Sequence, residues 1–216
     1  MKPTSYLIIG CGYFGSGAAK KLLKKDGLSR IIVVDKNKKA LQKVSNLPVQ
    51  TVVFDGTLYL TRFLSEGHQM DYIIPAVPFH LAFEFILSQL KPLGWKKGEI
   101  PLLSGLPTPI MGKTGDLYTS LSDFLCPENC PEPAHYCTVT KKRRLKPLYK
   151  ILNELKGPFQ SKIIRSHPLA PGVGGFKPKD LLDLLQEIRK KKTSGQHILI
   201  STASRCHGVT SMLSFN

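Results

Sequence analysis

The sequence predicts an α/β protein, with a parallel sheet covered by helices on both faces and a smaller C-terminal α/β part. Over the first 110 residues or so, short apolar segments alternate with amphipathic segments of helical length. The apolar segments lack the alternation of half-buried strands, so both faces of the sheet should be covered. After Leu103 this pattern stops and a proline- and cysteine-bearing stretch begins.

The periodicity predicts each element in turn. In the first part we expect strands and helices in alternation: strand 5 to 9, a helix ending near Lys25, strand Ile31 to Val34, helix Lys38 to Ser45, strand Val49 to Phe54, helix Thr57 to Ser65, strand Tyr72 to Val77, helix Phe79 to Leu90 and strand Ile100 to Leu103. Later elements are helix Leu148 to Leu155, strand Lys162 to Arg165, helix Asp180 to Lys191 and strand His197 to Ser201. Three regions follow: a parallel-sheet domain at 1–110, an irregular cysteine-bearing insert at 111–147 and a smaller α/β part at 148–216.

A glycine-rich turn follows the first strand and opens the first helix. The run Gly10-Cys11-Gly12-Tyr13-Phe14-Gly15 fits the pattern G-x-G-x-x-G. In this context the pattern indicates a Rossmann-like dinucleotide site: Gly10 permits the tight turn, Gly12 lets the backbone approach a pyrophosphate and Gly15 lets the helix pack on the strand. The pyrophosphate would sit on the helix N-terminus, so Tyr13 and Phe14 are also candidate contacts.

An acidic residue closes the second strand, at Asp35. A carboxylate at this place accepts hydrogen bonds from the adenosine ribose of NAD. The neighbouring Lys36, Lys38 and Lys39 could instead meet the 2′-phosphate of NADP. The sequence therefore favours NAD and leaves NADP open.

These residues resemble two known groups: the nucleotide-binding domains of saccharopine dehydrogenase-like proteins and of potassium-uptake regulatory (TrkA-N) proteins. The run from Gly10 to Gly15, Asp35 and the segment Phe54-Asp55-Gly56-Thr57 carry the resemblance. It implies that Asp55 contacts the adenine. The segment Ile74 to Pro78 is similar to the saccharopine group, which places Ala76 beside the ribose and pyrophosphate. Neither resemblance extends past about residue 110.

Three of the five cysteines fall close together, as Cys126, Cys130 and Cys137 in the spacing C-x3-C-x6-C. Cys206 is a distant fourth candidate ligand. Four thiolates suit a [4Fe–4S] cluster or structural zinc, and free thiols, including a redox pair, are the other interpretation. Cys11, inside the glycine turn, is interpreted as an apolar filler.

Two further loops carry polar or glycine residues after strands. The run from Pro171 to Gly175, before a helix, is either an anion cradle or a plain connection. In the loop after the last predicted strand, Arg205 could hold a carboxylate or phosphate and His207 could act as a general acid or base. These two are the candidate catalytic residues.

The chain has 216 residues and a net charge of +16. Much of this charge lies in runs at Lys20 to Lys25, Lys36 to Lys39, Lys141 to Lys146 and Arg189 to Lys192. Such runs fit solvated helix faces, and they also leave an anionic partner such as a nucleic acid open. No apolar run is long enough for a membrane span. The N-terminal sequence and the cysteine usage predict a cytoplasmic protein.

Two function classes follow, besides a nucleic-acid-associated protein that uses the basic surface. The first is an NAD(P)-dependent oxidoreductase with an iron–sulfur or zinc centre on Cys126, Cys130, Cys137 and Cys206, acting on a small anionic substrate. The second is a non-catalytic nucleotide-sensing module of TrkA-N type that acts on a partner protein, possible as a homodimer. An enzyme requires Cys126 and His207 to face Gly12 across one cleft.

Overall fold

The computed structural model describes residues 3–190 and 195–215. Its N-terminal part is a four-stranded parallel sheet in the order β3-β2-β1-β4. The strands are β1 (Ser5–Ile9), β2 (Arg30–Asp35), β3 (Gln50–Val53) and β4 (Tyr72–Pro75). They are connected by α1 (Tyr13–Lys25), α2 (Lys38–Leu41, continued by a 3-10 turn at Gln42–Val44) and α3 (Gly56–Ser65). The four strands and three helices confirm the Rossmann-like α/β fold predicted from the sequence.

The C-terminal part is built on a second, mixed sheet of six strands. Its elements are α4 (Leu81–Leu90, continued by a 3-10 turn at Lys91–Leu93), β5 (Trp95–Gly98), β6 (Ile110–Met111), β7 (Leu117–Ser120), α5 (Leu148–Asn153), β8 (Gln160–Arg165), β9 (His167–Ala170), β10 (Val173–Gly175), α6 (Pro178–Lys190), β11 (His197–Ala203) and β12 (His207–Phe215). The sheet order is β6-β7-β12-β11-β8, with β5 paired to the far end of β12. β9 and β10 form a separate hairpin.

Apolar side chains on both faces of the first sheet explain its position between helices. On one face, Ile8 and Val33 pack with Ala19 and Leu22 of α1. On the other face, one continuous core joins the first sheet, α3, α4, α6 and the second sheet. Since α4 and α6 share this core with both sheets, the two parts of the chain are held together by buried apolar surface.

The β9–β10 hairpin attaches the C-terminal part to the open edge of the first sheet. Phe176, directly after β10, exchanges two backbone hydrogen bonds with Ile73 of β4, at 2.8 and 2.9 Å. The Phe176 ring is fully buried. The hairpin therefore lies on the β4 side of the sheet, opposite the edge formed by β3.

The fifth predicted strand, Ile100 to Leu103, is wrong. The strand of this region is β5, five residues earlier, and it pairs antiparallel with β12 instead of extending the parallel sheet. The buried Trp95 anchors it, whereas Leu102 is fully exposed and Pro101 has no amide to donate.

Two further differences lie in the C-terminal part. The run from Pro171 to Gly175 is the turn and second strand of a hairpin, and a last strand, β12, follows Cys206. β12 was not predicted because it lacks an apolar pattern: its buried positions include Thr210, Ser211 and Ser214. α6 begins two residues before its predicted start and is described to Lys190; Lys191 and Lys192 lie outside the described residues. The predicted boundaries at residues 110 and 147 stay predictions.

Candidate functional site

The backbone of the glycine turn is closely packed at two of its glycines and open at the third. Gly10 has a φ of +99°, and a side chain there would overlap the carbonyl of Ala76. A side chain at Gly15 would overlap the carbonyl of Gly10. At Gly12, by contrast, a Cβ atom would meet nothing within 4 Å. Two of the glycines are thus needed by the fold, and the third leaves open space beside the N-terminus of α1.

The first turn of α1 presents its free N–H groups to this space. No acidic side chain lies in that first turn, and Gly12 caps the helix without a side-chain hydrogen bond. Tyr13 and Phe14 are 64% and 73% exposed, and their rings meet edge to face at 5.4 Å. The helix N-terminus is therefore accessible to an anion.

Asp35 lies at the carboxyl end of β2, beside the glycine turn. One carboxylate oxygen accepts from the amide of Cys11 at 2.6 Å, and the other accepts from the amide of Asn37 at 2.8 Å. Each oxygen keeps a lone pair for a further donor, such as a ribose hydroxyl. Lys36, Lys38 and Lys39 are exposed nearby, as the NADP alternative requires.

Asp55 and Ala76 lie at the carboxyl ends of β3 and β4. Asp55 caps α3, accepting from the amide of Leu58 at 3.0 Å, and its side chain is exposed. The amide of Ala76 donates to Ile9 at 2.8 Å, so the chain after β4 runs against the glycine turn. Both residues reach the edge of the sheet where ligands of such folds bind, and their contacts to a nucleotide stay predictions.

The insert is fixed to the helix of the glycine turn. The hydroxyl of Tyr13 donates to the carboxylate of Glu128. Lys21 of α1 donates to the carbonyls of Glu128 and Pro171, at 2.8 and 3.0 Å. The amide of Gly172 donates to the carbonyl of Cys130 at 2.9 Å. The insert and the β9–β10 hairpin therefore meet beside the N-terminal half of α1.

Four residues further along, Glu132 of the insert hydrogen-bonds to the turn between β11 and β12. Glu132 accepts from the amide of Cys206 at 2.9 Å and from the hydroxyl of Ser204, and its own carbonyl accepts from Arg205 at 3.1 Å. Glu132 has a φ of +49°, which a non-glycine residue adopts at a cost. This cost is offset by the hydrogen bonds that Glu132 makes to the turn.

Arg205 and His207, the candidate catalytic residues, lie in this same turn. The guanidinium of Arg205 is half-buried and donates to Glu132, whereas His207 is on the surface, and its amide donates to Ser204 at 3.2 Å. Because four residues of chain span at most about 14 Å, Glu128 at the glycine turn and Glu132 at the β11–β12 turn are close. The catalytic roles of Arg205 and His207 stay predictions.

The four predicted metal ligands have separate hydrogen-bonding partners. The Cys126 sulfur lies 3.2 Å from Ser122, the Cys130 sulfur 3.3 Å from Thr138, and the Cys206 sulfur 2.6 Å from Arg144. Backbone amides at Thr140 and Val139 bind the Cys137 sulfur and lower the pKa of its thiol. Within residues 3–190 and 195–215, no group of three or more His, Cys, Asp or Glu side chains is arranged to hold a metal. The predicted metal centre is therefore not supported.

The two buried thiols both have a raised pKa. Cys11 packs in the core between α1 and the first sheet, and burial raises its pKa. Burial also raises the pKa of Cys206 to about 11, so its thiol is protonated near neutral pH.

The second glycine-rich loop is not an open cradle. The amide of Gly172 is used by the carbonyl of Cys130, and a Cβ atom on Gly172 would overlap the carbonyl of Glu128. A Cβ atom on Gly174 would lie 2.7 Å from the Ser166 hydroxyl. The anion-binding interpretation of this loop stays a prediction.

A buried polar network escaped the sequence analysis altogether. His80 is fully buried and hydrogen-bonds to Thr202 and Ser211, each at 2.8 Å. Ser211 in turn donates to the buried Asp116 at 2.6 Å. These residues lie up to 131 positions apart in the chain, so no local spacing could reveal them.

Two family models match successive parts of the chain. The chain belongs to the family whose model is described as "Uncharacterized protein, C-terminal domain", which matches residues 82–216. The TrkA-N domain matches residues 6–74, so the N-terminal part is an NAD(P)-binding Rossmann-like domain. An uncharacterized protein of Archaeoglobus fulgidus is 25% identical over 219 residues, covering 96% of this chain and 98% of the relative.

The TrkA-N resemblance seen in the sequence is thus confirmed, while the saccharopine resemblance stays a prediction. The region past residue 110, which resembled neither group, falls inside the matched C-terminal family. Among the described residues, no helix is both long and apolar enough to cross a membrane. The predicted cytoplasmic location stays a prediction.

Proposed function

We propose that the chain is an NAD(P)-dependent oxidoreductase whose cleft runs from the glycine turn to the β11–β12 turn. The observation that carries the proposal is the path of the insert. Its Glu128 is bound at Tyr13 on the nucleotide side, and its Glu132 is bound to the turn that holds Arg205 and His207. Because four residues span at most about 14 Å, this path supports a cleft that reaches from the N-terminus of α1 to the turn of Arg205 and His207.

The order of the strands orients a dinucleotide in this cleft. Asp35, at the end of β2, lies on one side of the glycine turn and would receive the adenosine ribose. β4, the β9–β10 hairpin and the insert lie on the other side. The nicotinamide half would therefore extend toward the insert and the β11–β12 turn.

A bound nicotinamide would supply hydride transfer, and the residues of the chain would bind and orient the substrate. Arg205 would hold a carboxylate or phosphate of a small anionic substrate. His207, on the surface of the same turn, would exchange a proton with it. The net charge of +16 favours the approach of an anionic substrate.

NAD is the expected cofactor and NADP the alternative. The carboxylate of Asp35 would repel a 2′-phosphate at the ribose, and it is fixed in place by two backbone amides. Lys36, Lys38 and Lys39 would offset this repulsion only in part, since they are solvent-exposed. Titration of NADH and NADPH should give a lower Kd for NADH.

The proposal does not depend on an iron–sulfur or zinc centre, which the described residues do not support. Metal analysis and an ultraviolet–visible spectrum of anaerobically purified protein decide this point. We expect neither stoichiometric iron nor zinc. One zinc per chain, or iron and sulfide with absorption near 400 nm, would restore the cysteine centre.

The alternative function is a nucleotide-sensing module without catalysis, as the TrkA-N match alone would allow. The two functions differ in turnover. NADH should be oxidised, followed at 340 nm, in the presence of at least one compound from a panel of 2-oxo acids, aldehydes, ketones and quinones. Tight NADH binding with no oxidation across the panel would favour the sensing module.

A further inference from the structure

The buried network around His80 has a defined direction of hydrogen bonding. Ser211 has one hydroxyl proton, and it donates this proton to Asp116. Toward His80, the Ser211 oxygen is therefore an acceptor, and the Nδ1 of His80 must carry the proton. A neutral imidazole with a proton on Nδ1 has a lone pair on Nε2. The hydroxyl of Thr202, 2.8 Å from Nε2, must then donate to it.

The protonation states of the network agree with this order. Burial lowers the pKa of His80 to about 3, against the opposing charge of Asp116. Burial would raise the pKa of Asp116, but hydrogen bonds from Lys97, Ser211 and Thr114 lower it overall. Near neutral pH, the network therefore consists of a neutral imidazole and an ionised carboxylate.

The network connects the interior to the surface. Asp116 is fully buried and bonded to Lys97 at 2.6 Å, and the Lys97 side chain is 26% exposed. Lys97 also lies 3.8 Å from Glu84, which is 34% exposed. At the inner end, Thr202 is 8% exposed and is the penultimate residue of β11, three positions before Arg205.

The same network begins a short distance along the chain from the glycine turn. His80 follows Ala76 by four residues, which span at most about 14 Å, and the amide of Ala76 is bound to Ile9 before the glycine turn. A polar network at such a place is costly, because apolar residues of similar volume would serve a core at least as well. Its presence at this junction favours a role in chemistry.

We propose that the Thr202 hydroxyl, in place of the predicted general base His207, accepts the hydroxyl proton of the substrate, and that His80, Ser211 and Asp116 relay it toward Lys97. This inference rests on the proposed oxidoreductase function. The substrate class is an alcohol, whose oxidation breaks one C–H and one O–H bond. The hydride goes to the bound nicotinamide. The O–H proton passes to Thr202, which gives its own proton to Nε2 of His80, while the Nδ1 proton moves to Ser211 and the Ser211 proton to Asp116. Lys97, which is bonded to Asp116 and is 26% exposed, then gives one of its ammonium protons to water and takes up the proton of Asp116.

The hydrogen-bond order can be tested without any substrate. Nitrogen-15 NMR of the histidine side chains should show His80 neutral, with the proton on Nδ1, from pH 7 down to pH 5. Thr202→Val should shift the Nε2 resonance and leave Nδ1 protonated. A proton on Nε2, or a charged imidazole at pH 6, would overturn the relay.

The role in chemistry is tested by turnover of NADH with carbonyl compounds from the panel. Thr202→Val should lower kcat about 100-fold without changing the Kd of NADH, because removal of general acid–base catalysis costs this much. Thr202→Ser, which keeps the hydroxyl, should stay within about 5-fold of the unsubstituted protein. His80→Asn should follow Thr202→Val.

The matched control is Thr210→Val. Thr210 is fully buried on the neighbouring strand β12 and bonds to Ser201 at 2.8 Å, outside the network. The turnover of Thr210→Val should therefore equal that of the unsubstituted protein. Turnover of Thr202→Val within 2-fold of the unsubstituted protein would overturn the relay and leave the oxidoreductase standing. Absence of turnover in the unsubstituted protein, despite NADH binding, would overturn the oxidoreductase and the relay together.

Discussion

The two sheets of this chain position their polar groups by different means. In the parallel N-terminal sheet, the candidate site is made of backbone: three glycines, the first turn of α1 and amides fixed by Asp35. In the C-terminal sheet, the polar groups are positioned by side chains: those of the His80 network, and Glu132, which hydrogen-bonds to the β11–β12 turn. Backbone sites follow from the fold, whereas side-chain sites depend on residues distant in sequence.

The largest expected effect is on stability, from a side chain placed at a closely packed glycine of the turn. Gly15→Ala would place a methyl group onto the carbonyl of Gly10, a rigid backbone atom. We expect a loss of about 3 kcal/mol or more in the free energy of unfolding, measured by urea denaturation. Unchanged stability would show that the turn is looser than the structure describes.

The pH dependence of stability tests the side-chain network next. The folded-state pKa of His80, about 3, lies below its ordinary value of 6.5. The stabilisation by neutral His80 is therefore complete above pH 6.5 and is lost as the pH falls from there toward 3. Between pH 6.5 and 5 the loss should be about 2 kcal/mol.

Urea denaturation at both pH values checks this loss, with His80→Gln as the comparison. The variant should lose about 2 kcal/mol less than the unsubstituted protein over the same interval. Asp116 also favours the folded state less in acid, but its lowered pKa places that loss below pH 4. Equal losses in both proteins would contradict the account of a buried neutral imidazole.

Alanine substitutions at two other glycines test NADH binding separately from stability. A Cβ atom at Gly12 or at Gly17 would meet nothing within 4 Å, so neither substitution should unfold the protein. Gly12→Ala should weaken NADH binding at least about 10-fold, because the methyl group would stand between the backbone and the pyrophosphate. Gly17→Ala, further along α1, should leave the Kd unchanged. Equal Kd values for both variants would place the nucleotide elsewhere.

The smallest effects concern the two ends of the insert. Glu132→Gln removes the charge that receives the Cys206 amide and the Ser204 hydroxyl, and should cost about 1 kcal/mol in the free energy of unfolding. Glu128→Gln, at an exposed contact with Tyr13, should change it by less than about 0.5 kcal/mol. Thermal denaturation of the two variants side by side checks the order, and the reverse order would refute it.

The contrast between the sheets also explains what the sequence could reveal. The glycine spacing and the apolar runs are local signals, and they predicted the first four strands, the turn and the position of Asp35. The predicted position of β5 was wrong because the strand is fixed by Trp95, which is buried against β12. That contact joins residues more than one hundred positions apart, so no local pattern reveals it. β12 and the His80 network have no local signal, since their polar residues are satisfied only by partners from other elements. The cysteine spacing suggested a metal centre, but among the described residues no three cysteine, histidine or acidic side chains are arranged to hold a metal.

Hydrogen exchange with and without NADH tests the central claim most directly. If the dinucleotide lies between the glycine turn and the insert, NADH should slow exchange at the amides of residues 10–16 and 35–37 and also at residues 126–132 and 204–207. Protection of the first two segments alone would contradict the account. It would leave an NAD(P)-binding domain whose C-terminal part does not contact the cofactor.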